Sequence, residues 1–264
     1  MPNALLARSL ILERLSTRTR AGVLRLEVSP VATSTQVLAL EAPVPRDGCA
    51  VFIADEQTAG QGRRGRNWVS PPASNLYMSL SRRFDLSLPA LSGLSLVVGL
   101  VVVEALQGLG FAGIAVKWPN DIMVGDRKLG GVLIDVRADA QATAVVIGIG
   151  INVSMPPETG ATVDQPWCDL SMLSGPPVSR DLLAAAILDV LLPALEEFAT
   201  QGWPAFAVRW QHYDLLAGKS VRILEGARAH EGLAMGVDAS GALRVRMDSG
   251  EHCFRGGEVS VRAA

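Results

Sequence analysis

Residues 60–66 combine three glycines and three arginines with no acidic residue, a composition that suits a loop wrapped around an anion. Glycine lets the backbone approach a ligand closely and adopt positive φ angles. Arginine carries a permanent positive charge on a planar group that donates paired hydrogen bonds to phosphate or carboxylate. The same composition also occurs in exposed loops that bind nothing, so other segments must decide between the two interpretations.

Two later segments favour a binding site. Residues 117–121 bring Lys117, Asn120 and Asp121 around a tryptophan–proline pair, and Lys128 comes shortly before two adjacent glycines. A reaction that joins two anions needs cations to offset their repulsion, and these segments add lysines to the arginines of the loop. Together they predict a site for a nucleotide and a second anion.

Composition limits the class of protein. The chain has 264 residues, of which 49% are hydrophobic and 19% charged, so it is long enough for one large domain with a small appendage. A formal net charge of −2 gives no overall attraction to nucleic acid or to a membrane surface. The three cysteines are widely separated, as in proteins of a reducing cytoplasm, and no Cys/His spacing suggests zinc.

Residues 91–109 form the one apolar run that resembles a membrane span. The run contains serines, glycines, Glu104 and Gln107, which favour a buried helix over a bilayer-crossing one. No secretory signal is expected, because Arg8, Glu13 and Arg14 interrupt the N-terminal segment. We therefore expect a cytoplasmic protein.

Periodicity and turn signals outline the elements that would position these residues. Helices are predicted at residues 1–20, 33–40, 91–109, 182–198 and 205–212. Strands are predicted at residues 23–28, 50–54, 76–81, 114–118, 121–124, 131–136 and 144–149, with a hairpin turn at 125–128. Beyond residue 216 short alternating strands separated by glycines indicate a small β-barrel, which predicts a division into 1–27, 28–214 and 215–264.

Three other interpretations of the glycine-rich segments are weaker. Residues 60–65 match a dinucleotide-binding fingerprint in form, but that fingerprint must open a helix, and Pro71 and Pro72 follow soon after it. Residues 218–220 end like a phosphate-binding P-loop, yet Tyr213 stands where its first glycine belongs. The arginine cluster alone is weak evidence for RNA binding.

The chain from about residue 28 to its C-terminus resembles the catalytic part of a biotin protein ligase, the biotin–[acetyl-CoA-carboxylase] ligase family. The resemblance is carried by residues 55–68, 117–121, 128–131 and 148–152. It implies an α+β fold in which helices flank a mixed β-sheet, akin to class II aminoacyl-tRNA synthetases, followed by a small C-terminal SH3-like β-barrel.

The resemblance also implies an activity in two half-reactions. Biotin and ATP, with Mg²⁺, give biotinyl-5′-AMP and pyrophosphate. A lysine of a biotin carboxyl carrier protein, the subunit of acetyl-CoA carboxylase, then takes the biotinyl group. The enzyme is expected to be a monomer or homodimer.

Each matched residue takes an implied role from the family. Biotin contacts are implied for Ser34, Thr35, Gln57, Gly60, Arg63, Lys128 and Gly130. Nucleotide contacts are implied for Arg63, Arg66, Trp68, Lys117, Asn120 and Asn152. Catalytic roles are implied for Arg63, Lys128 and Asp121, and Mg²⁺ binding for Asn120 and Asp121.

The sequence departs from the family pattern at three places. Residues 1–27 are too few for the helix-turn-helix of bifunctional members, so an enzyme without operator binding is expected. Gln36 replaces the asparagine common after Ser-Thr. Gln61 stands where the family has arginine or lysine, so one anion contact is expected to be weaker.

Two alternatives stay open at this point. A lipoate ligase belongs to the same superfamily and would use another acyl acid. A non-catalytic regulator that binds biotin would use the same pocket without chemistry, although Lys128 argues for catalysis. Binding of biotin against lipoate distinguishes the first alternative, and formation of biotinyl-adenylate distinguishes the second.

Overall fold

The computed structural model describes residues 5–138, 143–225, 228–255 and 259–263. Its helices are α1 (Arg8–Arg14), α2 (Thr17–Gly22), α3 (Thr35–Glu41), α4 (Leu94–Gly108), α5 (Pro157–Gly160), α6 (Arg180–Gln201) and α7 (Pro204–Gln211). Short 3₁₀ turns lie at Arg63–Gly65, Leu88–Leu91 and Leu170–Met172.

The strands form two sheets. The strands of the larger sheet are β1 (Val23–Ser29), β2 (Cys49–Ala54), β3 (Leu76–Phe84), β4 (Ile114–Lys117), β5 (Asp121–Val124), β6 (Arg127–Ala138) and β7 (Thr143–Ile151). Their order is β1-β2-β3-β7-β6-β5-β4, in which β1 and β2 are parallel and the other neighbours antiparallel. The sheet is therefore mixed, as predicted.

A smaller antiparallel sheet follows. Its strands are β8 (Ser220–Glu225), β9 (Arg228–Val237), β10 (Leu243–Met247), β11 (Gly250–Phe254) and β12 (Val259–Ala263). They lie in the order β11-β10-β9-β8-β12, and each pair of neighbours is antiparallel. This arrangement is consistent with an SH3-like unit, so the predicted α+β fold class is confirmed.

Helices cover both faces of the large sheet because its strands alternate between two apolar surfaces. Ala50 and Phe52 of β2 pack with Ala39 of α3 on one face. Val51 and Ile53, on the other face, join the main core that contains α4 and α6. The face with α3 carries the candidate site described below.

Helix α4 is a core helix. Judged by length and composition alone, the segment Leu88–Gly108 is long and apolar enough to cross a membrane. Its residues from Leu96 to Val103 are nevertheless all buried, and α4 packs against α6. A helix that is hydrophobic all round needs apolar contacts on every side, and the core supplies them here.

Two local predictions need correction. The helix predicted over residues 1–20 is two helices, because Ser16 caps α2 by accepting a hydrogen bond from the backbone of Thr19; residues 1–4 lie outside the described part. The hairpin turn is shorter than predicted, since β6 already begins at Arg127 and Gly125 supplies a positive φ of 60°. Lys128 therefore lies on a strand.

Candidate active site

A cavity of about 840 Å³ lies on the α3 face of the large sheet. The loop after β2, the start of α3, and strands β3, β5, β6 and β7 enclose it. Its volume is typical of pockets that hold a small molecule or cofactor. Eleven of the predicted residues line it: Ser34, Thr35, Gln57, Arg63, Arg66, Trp68, Lys117, Asn120, Asp121, Lys128 and Asn152.

Two predicted glycines do not line this cavity. A Cβ atom at Gly60 would lie 2.6 Å from Oγ of Ser70, and one at Gly130 would lie 2.6 Å from the backbone oxygen of Gly150. Both positions require glycine because protein atoms pack directly against the backbone. Their contact with biotin stays a prediction from the family resemblance.

One end of the cavity is walled by buried hydroxyl and amide groups at the start of α3. Ser34 caps the helix, and its side chain accepts a hydrogen bond from the backbone of Gln36. The backbone nitrogen of Thr35 donates to Oε1 of Gln57 at 2.8 Å, and the Thr35 hydroxyl lies 2.9 Å from that of Ser79. This end can offer several directed hydrogen bonds to a polar ring.

Gly148 and Gly150 make room for side chains. A Cβ atom at Gly148 would lie 2.5 Å from Oε1 of Gln36, and one at Gly150 would lie 2.8 Å from Cε2 of Trp68. Both glycines are therefore needed to accommodate neighbouring side chains. They let Gln36 and Trp68 lie flat against β7, where both side chains form part of the cavity wall.

Lys128 lies between a carboxylate and an aromatic ring. Its Nζ atom is 2.6 Å from Oδ1 of Asp121 and 5.4 Å from the centroid of the Trp68 ring. The β5–β6 hairpin creates this pairing, because Asp121 and Lys128 lie on adjacent antiparallel strands. The arrangement holds a positive charge at the cavity wall beside a surface suited to stacking.

Arg63 reaches the cavity from the glycine-rich loop. One of its guanidinium nitrogens donates to Oδ1 of Asn120 at 2.8 Å, and the Asn120 amide donates to the backbone of Val132 at 2.8 Å. Burial lowers the pKa of Arg63, while the nearby charge of Asp121 raises it. Arginine stays charged under these conditions, so a half-buried cation faces the cavity.

Asn152 has a structural function that its sequence context did not indicate. Its side chain is buried, and Nδ2 donates to the backbone oxygen of Cys168 at 3.0 Å. The backbone of Lys128 bonds the same loop at Pro166 and Cys168. Asn152 thus fixes the loop that borders the cavity next to Lys128, and its contact with adenine stays a prediction.

The sequence did not single out Ser79, Asp135 or Trp167 as candidates. Ser79 and Trp167 line the cavity, and Asp135 bonds Gln36 behind it. The one local signal is the polarity of Ser79 and Ser81 within the buried part of strand β3. Strand pairing, which is not visible in the sequence, brings these residues to the site.

The described residues contain no group of three or more His, Cys, Asp or Glu side chains that could hold a metal ion. Oδ1 of Asn120 accepts from Arg63, and Oδ1 of Asp121 pairs with Lys128. Asp121 can supply a single carboxylate, which suffices for Mg²⁺ when substrate phosphates complete its coordination.

Comparisons with known proteins agree with this geometry. Residues 30–152 match the model of the biotin/lipoate A/B protein ligase family, and residues 217–262 match the biotin protein ligase C-terminal domain. The chain is 37% identical over 238 residues to the bifunctional ligase/repressor BirA of Escherichia coli, covering 90% of this chain and 74% of that protein. It is 32% identical over 240 residues to the biotin–[acetyl-CoA-carboxylase] ligase of Paracoccus denitrificans, covering 86% of this chain and 96% of that protein.

A solved structure shows the same fold. The biotin protein ligase of Aquifex aeolicus, in complex with biotin and ATP, superposes with a TM-score of 0.78 at 28% identity. The match covers 91% of this chain and all of that one. With a matching catalytic region, a matching C-terminal domain and relatives of this similarity, the chain belongs to the biotin protein ligases of the biotin/lipoate A/B protein ligase family.

Proposed function

We propose that this chain is an ATP-dependent ligase that attaches biotin to a lysine of a biotin carboxyl carrier protein. In the first step a biotin carboxylate oxygen bonds to the α-phosphorus of ATP, and the bond to pyrophosphate breaks. In the second step the acceptor lysine amine bonds to the acyl carbon, AMP leaves, and the amine loses a proton. The observation that carries the proposal is the cavity, which joins a hydrogen-bonding end to a cationic one.

Lys128 is the proposed centre of the chemistry. Negative charge grows on the α-phosphate and carboxyl oxygens as the carboxylate attacks, and a held cation stabilises that charge without reorganisation. Asp121 positions the ammonium group, since its Oδ1 atom lies 2.6 Å from Nζ of Lys128. Arg63 would neutralise the same anions from the glycine-rich loop, while Asn120 holds its guanidinium in place.

The nucleotide is proposed to lie against Trp68. The indole packs against Gly150 and lines the cavity. Lys117 and Arg66 also line the cavity and would bind phosphate oxygens. Mg²⁺, held by Asp121 and Asn120 together with the polyphosphate, would neutralise charge on the leaving pyrophosphate.

Ser34, Thr35 and Gln57 are proposed to bind the biotin ring system. All three line the cavity at the start of α3, away from Lys128 and Arg63, and Ser34 and Thr35 are buried. Hydrogen bonds made in such a dry environment discriminate strongly against ligands that cannot complete them. This end of the cavity therefore favours biotin over lipoate, whose ring carries no N–H group.

The acceptor, the location and the excluded partners complete the proposal. The carrier protein of acetyl-CoA carboxylase is the proposed acceptor, as the name of the Paracoccus denitrificans relative indicates for that enzyme. A cytoplasmic location is proposed, with α4 as a core helix. Operator DNA is not a proposed partner, since the net charge of −2 provides no general attraction to phosphate backbones.

The direct test mixes the purified chain with biotin, Mg-ATP and a biotin carboxyl carrier domain. Biotinyl-adenylate and a biotinylated acceptor are the expected products by mass spectrometry. Lipoic acid replaces biotin in a parallel reaction, and preferential formation of lipoyl-adenylate would support the lipoate-ligase alternative instead. Tight biotin binding with no adenylate would support the non-catalytic regulator.

A further inference from the structure

Gln36 lies in a chain of hydrogen bonds. The acceptors at the end of the chain farther from the cavity determine which atom donates and which accepts in each bond. The side-chain nitrogen of Gln36 donates to Oδ2 of Asp135 at 2.8 Å and to the backbone oxygen of Val146 at 3.3 Å. A carbonyl and an ionised carboxylate only accept hydrogen bonds, so the nitrogen of the amide must face them. The amide oxygen of Gln36 therefore faces the other way, toward the cavity wall.

This orientation determines the role of each hydroxyl that follows. Oγ of Ser79 donates to Oε1 of Gln36 at 3.0 Å, which uses its one hydrogen. Ser79 can then only accept from the Thr35 hydroxyl, 2.9 Å away. All three side chains are buried, so water cannot easily substitute for a missing partner.

A second chain of hydrogen bonds reaches the Thr35 hydroxyl from Ser70, which follows the glycine-rich loop. Oγ of Ser70 donates to the backbone oxygen of Trp68 at 2.9 Å, so it accepts from Nε2 of Gln57, also at 2.9 Å. Oε1 of Gln57 consequently faces Thr35 and lies 3.2 Å from its hydroxyl. Both chains present acceptors to Thr35, and its single hydrogen is spent on them.

We propose that Gln36 is a positioning residue that turns the Thr35 hydroxyl into an acceptor for a ligand N–H group. This inference rests on the proposed function. It makes Gln36 a determinant of selectivity for an acid whose ring carries an N–H group over an acid that has none. Asp135 does not line the cavity, so it acts through Gln36. The family pattern has asparagine at this position, and asparagine is one methylene shorter than glutamine. The hydrogen bond to Asp135 therefore depends on the glutamine that this chain carries.

The experiment measures biotin and octanoic acid binding to the whole chain by calorimetry, and biotin KM and kcat by ATP–pyrophosphate exchange. Gln36→Met keeps the side-chain length but removes the amide, and Ser79→Ala breaks the chain one step later. Both are expected to weaken biotin binding and raise its KM by about 3- to 10-fold, the effect of one neutral hydrogen bond. Octanoic acid has no N–H group, so its affinity and the kcat for biotin should stay within about twofold.

A matched control separates the proposed role from a loss of packing. Ser81 is buried on the same face of β3, and its hydroxyl has no hydrogen-bond partner among the described residues, so Ser81→Ala should leave biotin binding unchanged. Asp135→Lys replaces the acceptor by a donor and should weaken the binding of biotin but not that of octanoic acid.

Each contrary outcome has a definite meaning. Unchanged biotin affinity in both Gln36→Met and Ser79→Ala overturns the inference, as does an equal loss of affinity for biotin and octanoic acid. If Gln36→Met fails to fold, the Ser79→Ala and Ser81→Ala pair decides. A wild-type chain that binds biotin but catalyses no exchange contradicts only the proposed function.

Discussion

The ammonium of Lys128 is held 2.6 Å from the carboxylate of Asp121, with only 15% and 23% of the two side chains exposed. Shielding from water strengthens the field of such a charge at a nearby reacting group. The pair is built from adjacent strands, so a substitution there can change the charge without removing a core contact. This relationship yields the most specific prediction about the chemistry.

Lys128→Met should lower the rate of biotinyl-adenylate formation by about 10²- to 10³-fold, the usual loss when one transition-state contact is removed. Single-turnover kinetics with biotin and Mg-ATP would measure this rate. Thermal unfolding should show that the fold is retained. Lys219→Met, at an exposed lysine before β8, is the matched control and should react like the wild type. A Lys128→Met rate near that of the wild type would refute the catalytic assignment.

Gly148→Ala and Gly150→Ala should affect the two ends of the cavity differently, each raising the KM for one substrate. The first places a methyl group against Gln36 and should raise the KM for biotin, whereas the second places it against Trp68 and should raise the KM for ATP. Overpacking of this kind lowers the free energy of unfolding by about 1–3 kcal/mol.

Exchange kinetics with each substrate varied in turn would test the separation. Gly108→Ala, at a helix end with no atom within 4 Å of the new methyl group, is the neutral control. If both glycine variants raised the two KM values equally, the assignment of Gln36 and Trp68 to separate ends would be wrong.

Gln61→Arg should slow the release of biotinyl-adenylate. Gln61 lines the cavity from an exposed position and forms an isolated bridge with Asn67. A charge-assisted hydrogen bond contributes about 1.5–3 kcal/mol, more than a neutral one, so release could slow by roughly tenfold. Measured dissociation that is unchanged or faster would mean that residue 61 does not contact the ligand.

Proteolysis at the arginines of the glycine-rich loop should decrease when biotin and ATP are present. Arg64 and Arg66 are exposed, and the guanidinium of Arg63 donates a hydrogen bond of 2.8 Å to Oδ1 of Asn120. Bound anions would add further contacts to this segment and reduce local opening. Limited trypsin digestion followed by mass spectrometry would measure cleavage after residues 63, 64 and 66. Equal cleavage with and without ligands would contradict the prediction.

Local patterns predicted the architecture because each element carries its own signal. Strands β8 to β12 lie beyond residue 216, where short alternating strands are predicted, since alternation and glycine turns specify short antiparallel strands. Helix α6 extends beyond residues 182–198 and continues through Pro193, and the Ser179 side chain caps it by accepting a hydrogen bond from the backbone nitrogen of Leu182. The start of β6 was missed because the two-residue turn at Gly125 is shorter than its polar sequence indicated.

The hydrogen-bond chain behind the candidate site could not be predicted in the same way. Gln36 and Asp135 are 99 residues apart, and Gln36 and Ser79 are 43 apart. They meet because β3, β7 and β6 are adjacent and in a register that places Asp135 opposite Val146. The space left by Gly148 likewise accommodates Gln36, a contact that the sequence of β7 does not reveal.

Biotin-dependent exchange of pyrophosphate into ATP is the most direct measurement of the central claim. The wild-type chain with Mg-ATP and biotin should incorporate labelled pyrophosphate into ATP, and omission of biotin should abolish incorporation. Biotinyl-5′-AMP should be detected by mass in the same mixture. A correctly folded chain that binds biotin yet shows neither exchange nor adenylate would contradict the account.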